Sequence, residues 1–299
     1  MSDMKILVSG MSGPIGGELL PALVVSGNKV TRLVRRPPQS SDEIRWDPMR
    51  SIVPETVSGF DAVIHLAGES IVGRWTSEKK ARMVDSRVQG TGHLAEALAR
   101  ASRKPQVLIT ASAIGYYGDR GEETLTEESG PGTNFLAGLC RQWEAATGAA
   151  AQAGIRTVQV RIGVMLSTKG GALPKMLTPF KLGLGGRIGS GRQYLSWISI
   201  DDVVGAILYA LNAGQVRGPV NATAPNPATN SEFTRSLADV LHRPAIFPMP
   251  TFAVRALFGQ MGDELLLASA RVLPSKLQAS GYQFRRPELK TALMSLLKK

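Results

Sequence analysis

Residues 4–20 read MKILVSGMSGPIGGELL, and this stretch decides the fold. The apolar run at 5–9 predicts a short buried strand, and the apolar run after Gly16 predicts a helix. Gly10, Gly13 and Gly16 follow the strand at three-residue spacing. The first glycine permits a tight turn, the second lets phosphate oxygens approach the backbone, and the third lets helix and strand pack closely.

A strand that leads through a glycine turn into a helix directs backbone N–H groups and a positive helix end toward one point. Such a point suits a pyrophosphate, so the sequence predicts a dinucleotide site at this turn. A glycine turn without a ligand is the alternative. The residues predicted to form this part of the site are Gly10, Ser12, Gly13, Pro14, Ile15 and Gly16.

The second predicted strand, at 29–34, favours NADP(H) over NAD(H). About 20 residues past the glycine turn, a carboxylate selects the free ribose 2′-hydroxyl of NAD. No carboxylate stands there, because the chain reads Arg35-Arg36-Pro37-Pro38. Guanidinium groups bind a 2′-phosphate through charged, bidentate hydrogen bonds. Arg35 is the first candidate, followed by Arg36 and Arg32; the alternative is that all three are surface arginines.

Strands and helices alternate along the rest of the chain. Apolar runs at 60–66, 106–110 and 156–160 predict strands covered on both faces, and 77–100 and 134–153 predict helices. This alternation predicts an α/β fold with a doubly wound parallel sheet of the Rossmann-like, dinucleotide-binding type. The residues predicted to line the cofactor at the ends of the central strands are Leu66, Ala67, Gly68, Glu69 and Ala111.

A smaller substrate lobe is predicted from the later part of the chain. Residues 168–197 are rich in glycine and basic residues, which indicates an excursion from the carboxyl edge of the sheet, where ligands bind in such folds. Residues 248–273 read as apolar and helical. We predict a dinucleotide-binding domain over 1–245, including the excursion, and a small helical domain over 246–299.

The composition narrows the classes of protein. With 299 residues, 43% of them hydrophobic, the chain can bury a large core. No apolar run is long enough to span a bilayer and no signal peptide precedes the first strand, so we expect a cytoplasmic protein without a membrane partner. One cysteine and three scattered histidines give no metal-ligand spacing, so no metal is expected.

The net charge of +11 indicates an anionic partner. The basic residues are scattered and form no tract or basic-aromatic stripe, which favours an anionic cofactor and a small anionic substrate over nucleic acid. Nucleic-acid binding rests on charge alone. We expect a monomer or a homodimer.

Several motifs together resemble the extended short-chain dehydrogenases/reductases, the group of sugar-nucleotide epimerases and dehydratases. They are the glycine turn, AVIHLAG at 62–68, TASAIGYYG at 110–118, RIGVML at 161–166 and WISIDDV at 197–203. More narrowly, the chain resembles an uncharacterised "epimerase family" subgroup with a small C-terminal DUF1731-type domain. The markers of that subgroup are SRVQGT at 86–91, GGALPKML at 170–177 and ELLLASARVLPSKL at 264–277.

The resemblance implies NAD(P)-dependent hydride transfer with a Tyr-x-x-x-Lys helix, in which a cation tunes the phenol toward neutral pH. That helix corresponds to residues 134–144, NFLAGLCRQWE. Aligning Glu144 with the glutamate of the family places Leu136 at the tyrosine position and Cys140 at the lysine position. Neither residue can do the chemistry of the one it replaces.

Other residues therefore become the candidates for catalysis. Ser112 is a candidate hydroxyl for binding the substrate oxygen, and Tyr116 or Tyr117 is a candidate acid, with packing as the alternative role. Lys79 or Lys175 is a candidate cation. Arg161 is either an anion contact beside the cofactor or a structural arginine, and Arg187 and Arg192 either hold an acidic substrate or are solvated loop residues.

Two functions of different class follow from these observations. The first is a nucleoside-diphosphate-sugar epimerase or oxidoreductase of unknown substrate that uses NADP(H). The second is a catalytically weak or inactive NADP(H)-binding sensor, and the "cell division inhibitor" labels of similar proteins imply a regulatory role for it. The missing Tyr/Lys pair motivates the second.

Overall fold

The computed structural model describes residues 3–297. Residues 1–2 of the first predicted domain and residues 298–299 of the second lie outside the described residues. The strands are β1 (Lys5–Ser9), β2 (Lys29–Val34), β3 (Glu43–Arg45), β4 (Ala62–His65), β5 (Val107–Ala113), β6 (Thr124–Leu125), β7 (Arg156–Ile162), β8 (Val164–Leu166), β9 (Tyr194–Leu195), β10 (Trp197–Ser199), β11 (Gly218–Ala222), β12 (Ala228–Thr229) and β13 (Arg271–Val272). The helices are α1 (Pro14–Val25), α2 (Ser77–Arg100), α3 (Phe135–Ala145), α4 (Gly148–Gln152), α5 (Leu173–Lys181), α6 (Ile200–Asn212), α7 (Asn230–Leu241), α8 (Thr251–Phe258), α9 (Gln260–Gly262), α10 (Ser275–Ala279) and α11 (Leu289–Leu297).

Within the described residues, one seven-stranded sheet forms the centre, in the order β11-β7-β5-β4-β1-β2-β3. All of its neighbouring strands run parallel. The chain order reverses between β1 and β4, and ligands bind at the carboxyl ends of strands beside such a switch point. The predicted doubly wound α/β fold is confirmed.

Helices cover both faces of this sheet, as its apolar strands require. Along β1, Ile6 and Val8 point to one face and Leu7 to the other. The first face packs against Leu19 of α1 and Ile207 of α6, in one buried cluster. The second face packs against α2 and α4. The core thus holds the carboxyl edge of the sheet rigidly in place.

The predicted helix at 134–153 is two helices, because α3 ends at Ala145 and α4 begins at Gly148. Between them, the Thr147 hydroxyl donates to the Glu144 carbonyl at 2.7 Å and accepts from Gln159. A side-chain hydroxyl that bonds locally to the backbone competes with helix continuation. The local sequence contains no glycine or proline that would mark the break before Gly148.

A smaller lobe has its own apolar cluster, which includes Phe180, Trp197, Phe233 and Leu293. The predicted helix at 248–273 is wrong in its later part: after α9 the chain forms a π-helical turn, Asp263–Leu267, and then β13. β13 pairs in parallel with β6, so the lobe is joined to the loop that follows β5. The domain division at residue 245 stays a prediction.

Candidate functional site

The predicted strand, glycine turn and helix form as expected, and two glycines close one side of the turn. Gly10 has a φ of +78°, and a Cβ atom there would lie 2.6 Å from the Ala67 nitrogen. A Cβ atom on Gly16 would lie 2.4 Å from the Met11 Cα. Both positions therefore require glycine. At Gly13 the nearest atom to such a Cβ would be the Gly10 carbonyl oxygen at 3.4 Å, an ordinary contact, so no backbone atom blocks this position.

The open side of this turn is the N-terminus of α1. Gly13 is the N-cap, no side chain caps the helix in the described chain, and its first turn holds no acidic residue. Ser12 and Pro14 are exposed and Ile15 is half-buried. An uncapped helix N-terminus attracts an anion, so the arrangement suits a diphosphate.

Two of the three arginines predicted near the ribose already have partners. Arg36 donates to both carboxylate oxygens of Glu43, at 2.6 and 2.8 Å. Arg32 lies 3.0 Å from Asp42 and 3.1 Å from Glu43. The Arg36 hydrogen bonds hold the pKa of Glu43 below its usual value. Arg35 is exposed and has no side-chain hydrogen bond or ion pair within residues 3–297, so it is the arginine available to a phosphate.

The loop after β4 runs beside the glycine turn. A Cβ atom on Gly10 would also lie 2.6 Å from the Leu66 carbonyl carbon, so residues 66–68 border the same cleft. Glu69 accepts a hydrogen bond from Lys79 at 2.7 Å, and this contact lowers the pKa of Glu69. The candidate cation Lys79 is thus paired. Ala111 of β5 is buried beside this loop's strand.

A buried polar network lies where the catalytic residues are predicted. Ser112 donates to Glu144 at 2.6 Å, and Arg161 donates to both Glu144 oxygens at 2.8 Å. Arg161 also donates to the Tyr117 hydroxyl at 2.9 Å, and that hydroxyl donates to Asn221 at 2.7 Å. The network links β5, α3, β7 and β11 across the carboxyl edge of the sheet.

This network argues against two of the predicted roles. Tyr117 is fully buried, its hydroxyl is engaged twice, and burial raises its pKa to about 12. A proton donor near neutral pH needs access and a lower pKa. Arg161 is 2% exposed and donates hydrogen bonds to Glu144 and Tyr117, which favours a structural role over contact with an anion. Tyr116 is half-buried, with the Arg161 Cζ 3.5 Å from its ring centroid.

A cavity of about 90 Å³ lies between the carboxyl edge of the sheet and the smaller lobe. Leu136 lines it, and Cys140 is buried one helical turn further along α3. Burial raises the pKa of the Cys140 thiol to about 12. The α3 sequence FLAGLCRQWEA contains neither tyrosine nor lysine. The remaining lining residues are Ile114, Gly115, Gly118, Asn134, Val164, Gln193, Tyr194, Leu195, Ser196, Asn230, Glu264, Leu265, Leu266, Ala268 and Ala270.

Glu264 lines this cavity and is a residue that sequence reasoning missed. Its carboxylate accepts the N–H groups of Phe135 at 3.3 Å and Leu136 at 2.9 Å, the first two of α3. The smaller lobe thereby caps a helix more than 120 residues earlier in the chain. The sequence contains only a weak indication of this contact: the first turn of α3 contains no acidic residue of its own.

The other basic candidates lie elsewhere. Lys175, Arg187 and Arg192 are exposed and do not line the cavity. Across residues 3–297, no three His, Cys, Asp or Glu side chains cluster as metal ligands would. The helices in this same range are too short or too polar to cross a bilayer.

Comparison with known proteins supports the resemblance seen in the motifs. The profile of the NAD dependent epimerase/dehydratase family matches residues 6–222, and that of DUF1731, a domain of unknown function, matches residues 249–296. The epimerase family protein Mb2239 of Mycobacterium bovis is 42% identical over 98% of this chain and 97% of its own length.

Two solved structures are similar over nearly the whole chain. Human epimerase family protein SDR39U1 (isoform 2), crystallised with NADPH, is 36% identical with a TM-score of 0.90, over 98% of this chain and 99% of that one. A nucleoside-diphosphate sugar epimerase of Corynebacterium glutamicum is 37% identical with a TM-score of 0.84, over 99% of this chain and 58% of that one. Because the family profile covers well over half of the sequence, the chain belongs to the NAD dependent epimerase/dehydratase family, and its C-terminal part carries a DUF1731 domain.

Proposed function

We propose that the protein binds NADP(H) in preference to NAD(H) and uses it for oxidoreduction or epimerisation of a small molecule in the cavity beside α3. The observation that carries the proposal is Arg35, an exposed guanidinium without a partner in residues 3–297, at the end of the strand next to the glycine turn. The NADPH in the similar human SDR39U1 structure supports the same choice.

The residues present fit this cofactor. The backbone at Gly13 and the uncapped N-terminus of α1 would hold the diphosphate, and Arg35 would hold the 2′-phosphate. Residues 66–68 would border the cofactor on its way to the cavity. When bound, the cofactor supplies or accepts a hydride.

A carbonyl that takes a hydride also needs a proton, and α3 offers no group to give one. Within the cavity, Tyr194 is the phenol on the wall, and its hydroxyl makes no hydrogen bond inside the described chain. The Arg271 Cζ lies 5.2 Å from its ring centroid. Tyr194 therefore joins Tyr116 and Ser112 as a residue to be tested. The sequence predicted its segment as part of the substrate lobe but drew attention to Arg187 and Arg192 there.

The cofactor preference is tested by calorimetry with NADPH and NADH. Arg35→Ala should weaken NADPH about 10- to 100-fold, because a charged hydrogen-bonding contact contributes about 1.5–3 kcal/mol, and should leave NADH unchanged. Arg100→Ala, which removes an exposed arginine at the far end of α2, serves as the control and should change neither affinity. Equal losses for both cofactors in Arg35→Ala would refute the phosphate contact.

The catalytic role is tested by NADPH turnover against carbonyl compounds and sugar nucleotides. Tyr194→Phe, Tyr116→Phe and Ser112→Ala are compared, and loss of turnover in one with NADPH affinity intact identifies the acting hydroxyl.

The second candidate function is a cofactor-binding sensor with little catalysis, favoured by Leu136 on the cavity wall. Tight NADPH binding with no turnover of any compound would support the sensor over the enzyme.

A further inference from the structure

Arg87 of α2 lies against the loop that borders the proposed cofactor cleft. A Cβ atom on Gly68 would be 3.2 Å from the Arg87 Cζ and 3.3 Å from its Nη2. Gly68 can therefore carry no side chain without displacing this guanidinium. The loop itself adjoins Gly10 of the glycine turn. Arg87 is thus a cation beside the loop that follows β4, at the carboxyl edge of the sheet.

The guanidinium of Arg87 has donors that the protein does not use. Among residues 3–297 its single hydrogen bond runs from Nη1 to the Met83 carbonyl, at 3.3 Å. The nearby carboxylate of Glu69 is bound by Lys79 at 2.7 Å. A guanidinium has five N–H donors, and it stays charged in proteins. Arg87 is half-buried, and its Nε and Nη2 atoms are not among the buried polar atoms that lack a partner in the described chain, so both remain accessible from outside the protein.

The surroundings of Arg87 hold it in place without neutralising it. The ring of Trp143 in α3 packs 4.9 Å from its Cζ, which fixes one face of the guanidinium. Cys140, the other α3 side chain close to this charge, is a neutral thiol whose pKa burial raises to about 12. In the described chain no carboxylate forms an ion pair with Arg87. Its unused donors are therefore available to an acceptor outside the protein.

A dinucleotide held by Arg35 at one end and by the Gly13 backbone in the middle would pass beside Gly68 before it reaches the cavity. We propose that Arg87 binds the nicotinamide half of NADP(H), donating hydrogen bonds to the oxygens of its ribose or its adjoining phosphate. This inference rests on the proposed cofactor site. It assigns to α2 a charged contact that α3, which offers Leu136 and Cys140 at this edge, does not make.

Calorimetry with three ligands separates this contact from that of Arg35: NADPH, NADH, and adenosine 2′,5′-bisphosphate, which lacks the nicotinamide half. Arg87→Met should weaken NADPH and NADH about 10- to 100-fold and leave the bisphosphate within twofold of wild type. Arg87→Lys keeps the charge and should recover part of the loss. Arg35→Ala should show the opposite pattern, losing NADPH and the bisphosphate but not NADH.

Arg100→Met provides the matched control, because Arg100 lies at the far end of the same helix with a side chain that is 73% exposed, and it should alter no affinity. Unchanged bisphosphate binding in Arg87→Met also verifies that the variant is folded. NADPH affinity equal to wild type in Arg87→Met would overturn the inference alone, as would an equal loss for all three ligands. A wild-type protein that binds none of the three would refute the proposed function as well.

Discussion

At the scale of single residues, His65 illustrates a buried titratable group with a measurable consequence. It is fully buried in β4, with Nδ1 2.6 Å from the Ser9 hydroxyl. Burial lowers its pKa from the usual 6.5 to about 4. Between these values the unfolded chain takes up a proton that the folded chain does not, so stability is full above about pH 6.5 and falls as the pH decreases toward 4.

His65→Gln should therefore flatten the acid side of the stability curve. The titration of this one group lowers the free energy of unfolding by up to about 3 kcal/mol between pH 6.5 and pH 4. Urea unfolding at several pH values gives the free energy of unfolding of wild type and variant. The comparison uses how steeply this free energy changes with pH in each protein, and not its absolute value. Parallel curves across this window would contradict the prediction.

The Glu144–Arg161 pair is the second residue-scale case. Its side chains are 13% and 2% exposed, so removal of one leaves a buried charge without its partner. Glu144→Leu and Arg161→Met should each lower the free energy of unfolding by about 3–5 kcal/mol, and the double variant should lose less than the sum. Lys290→Ala, which breaks an exposed pair with Asp239, should cost less than about 1 kcal/mol. Additive losses in the double variant would show that the pair is not coupled.

At the scale of elements, α3 depends on a carboxylate from a distant lobe. Glu264 accepts the first two N–H groups of α3, and a carboxylate at a helix N-terminus contributes about 1–2 kcal/mol. Glu264→Ala should lower stability by that amount and speed hydrogen exchange at Phe135 and Leu136. Glu264→Gln, which keeps an acceptor without the charge, should lie between. Unchanged exchange at both amides would refute the cap, and Glu96→Ala at an exposed position of α2 is the control.

At the scale of the whole molecule, residues from the C-terminal part of the chain pack into the cores of the main sheet and of the loop that follows β5. Leu277 of α10 belongs to the main core cluster, and Val272 of β13 packs with Tyr117 and Leu125. Calorimetry should therefore show one unfolding transition with equal van't Hoff and calorimetric enthalpies. Leu277→Ala should shift that whole transition downward by about 2–5 kcal/mol. Two separated transitions would instead show that the protein unfolds as two independent units.

Local patterns in the sequence were enough to determine the sheet, the glycine turn and the family, because strand and helix periodicity and the turn glycines act over a few residues. Arg35 was predicted as a phosphate contact for the same reason, since it directly follows β2. The ion pairs of Arg32 and Arg36 could not be predicted in this way, because their partner Glu43 becomes a neighbour only when β3 pairs with β2.

The tertiary structure alone decided which polar groups meet. Ser112, Glu144, Arg161 and Asn221 come from four elements, and only the parallel pairing of β5, β7 and β11 brings them together. Tertiary packing likewise brings Glu264 to the N-terminus of α3, and it brings Arg87 next to Gly68. Hydrogen bonds and ion pairs between residues far apart in the chain leave no periodic trace in the sequence, since their geometry exists only once the core has packed.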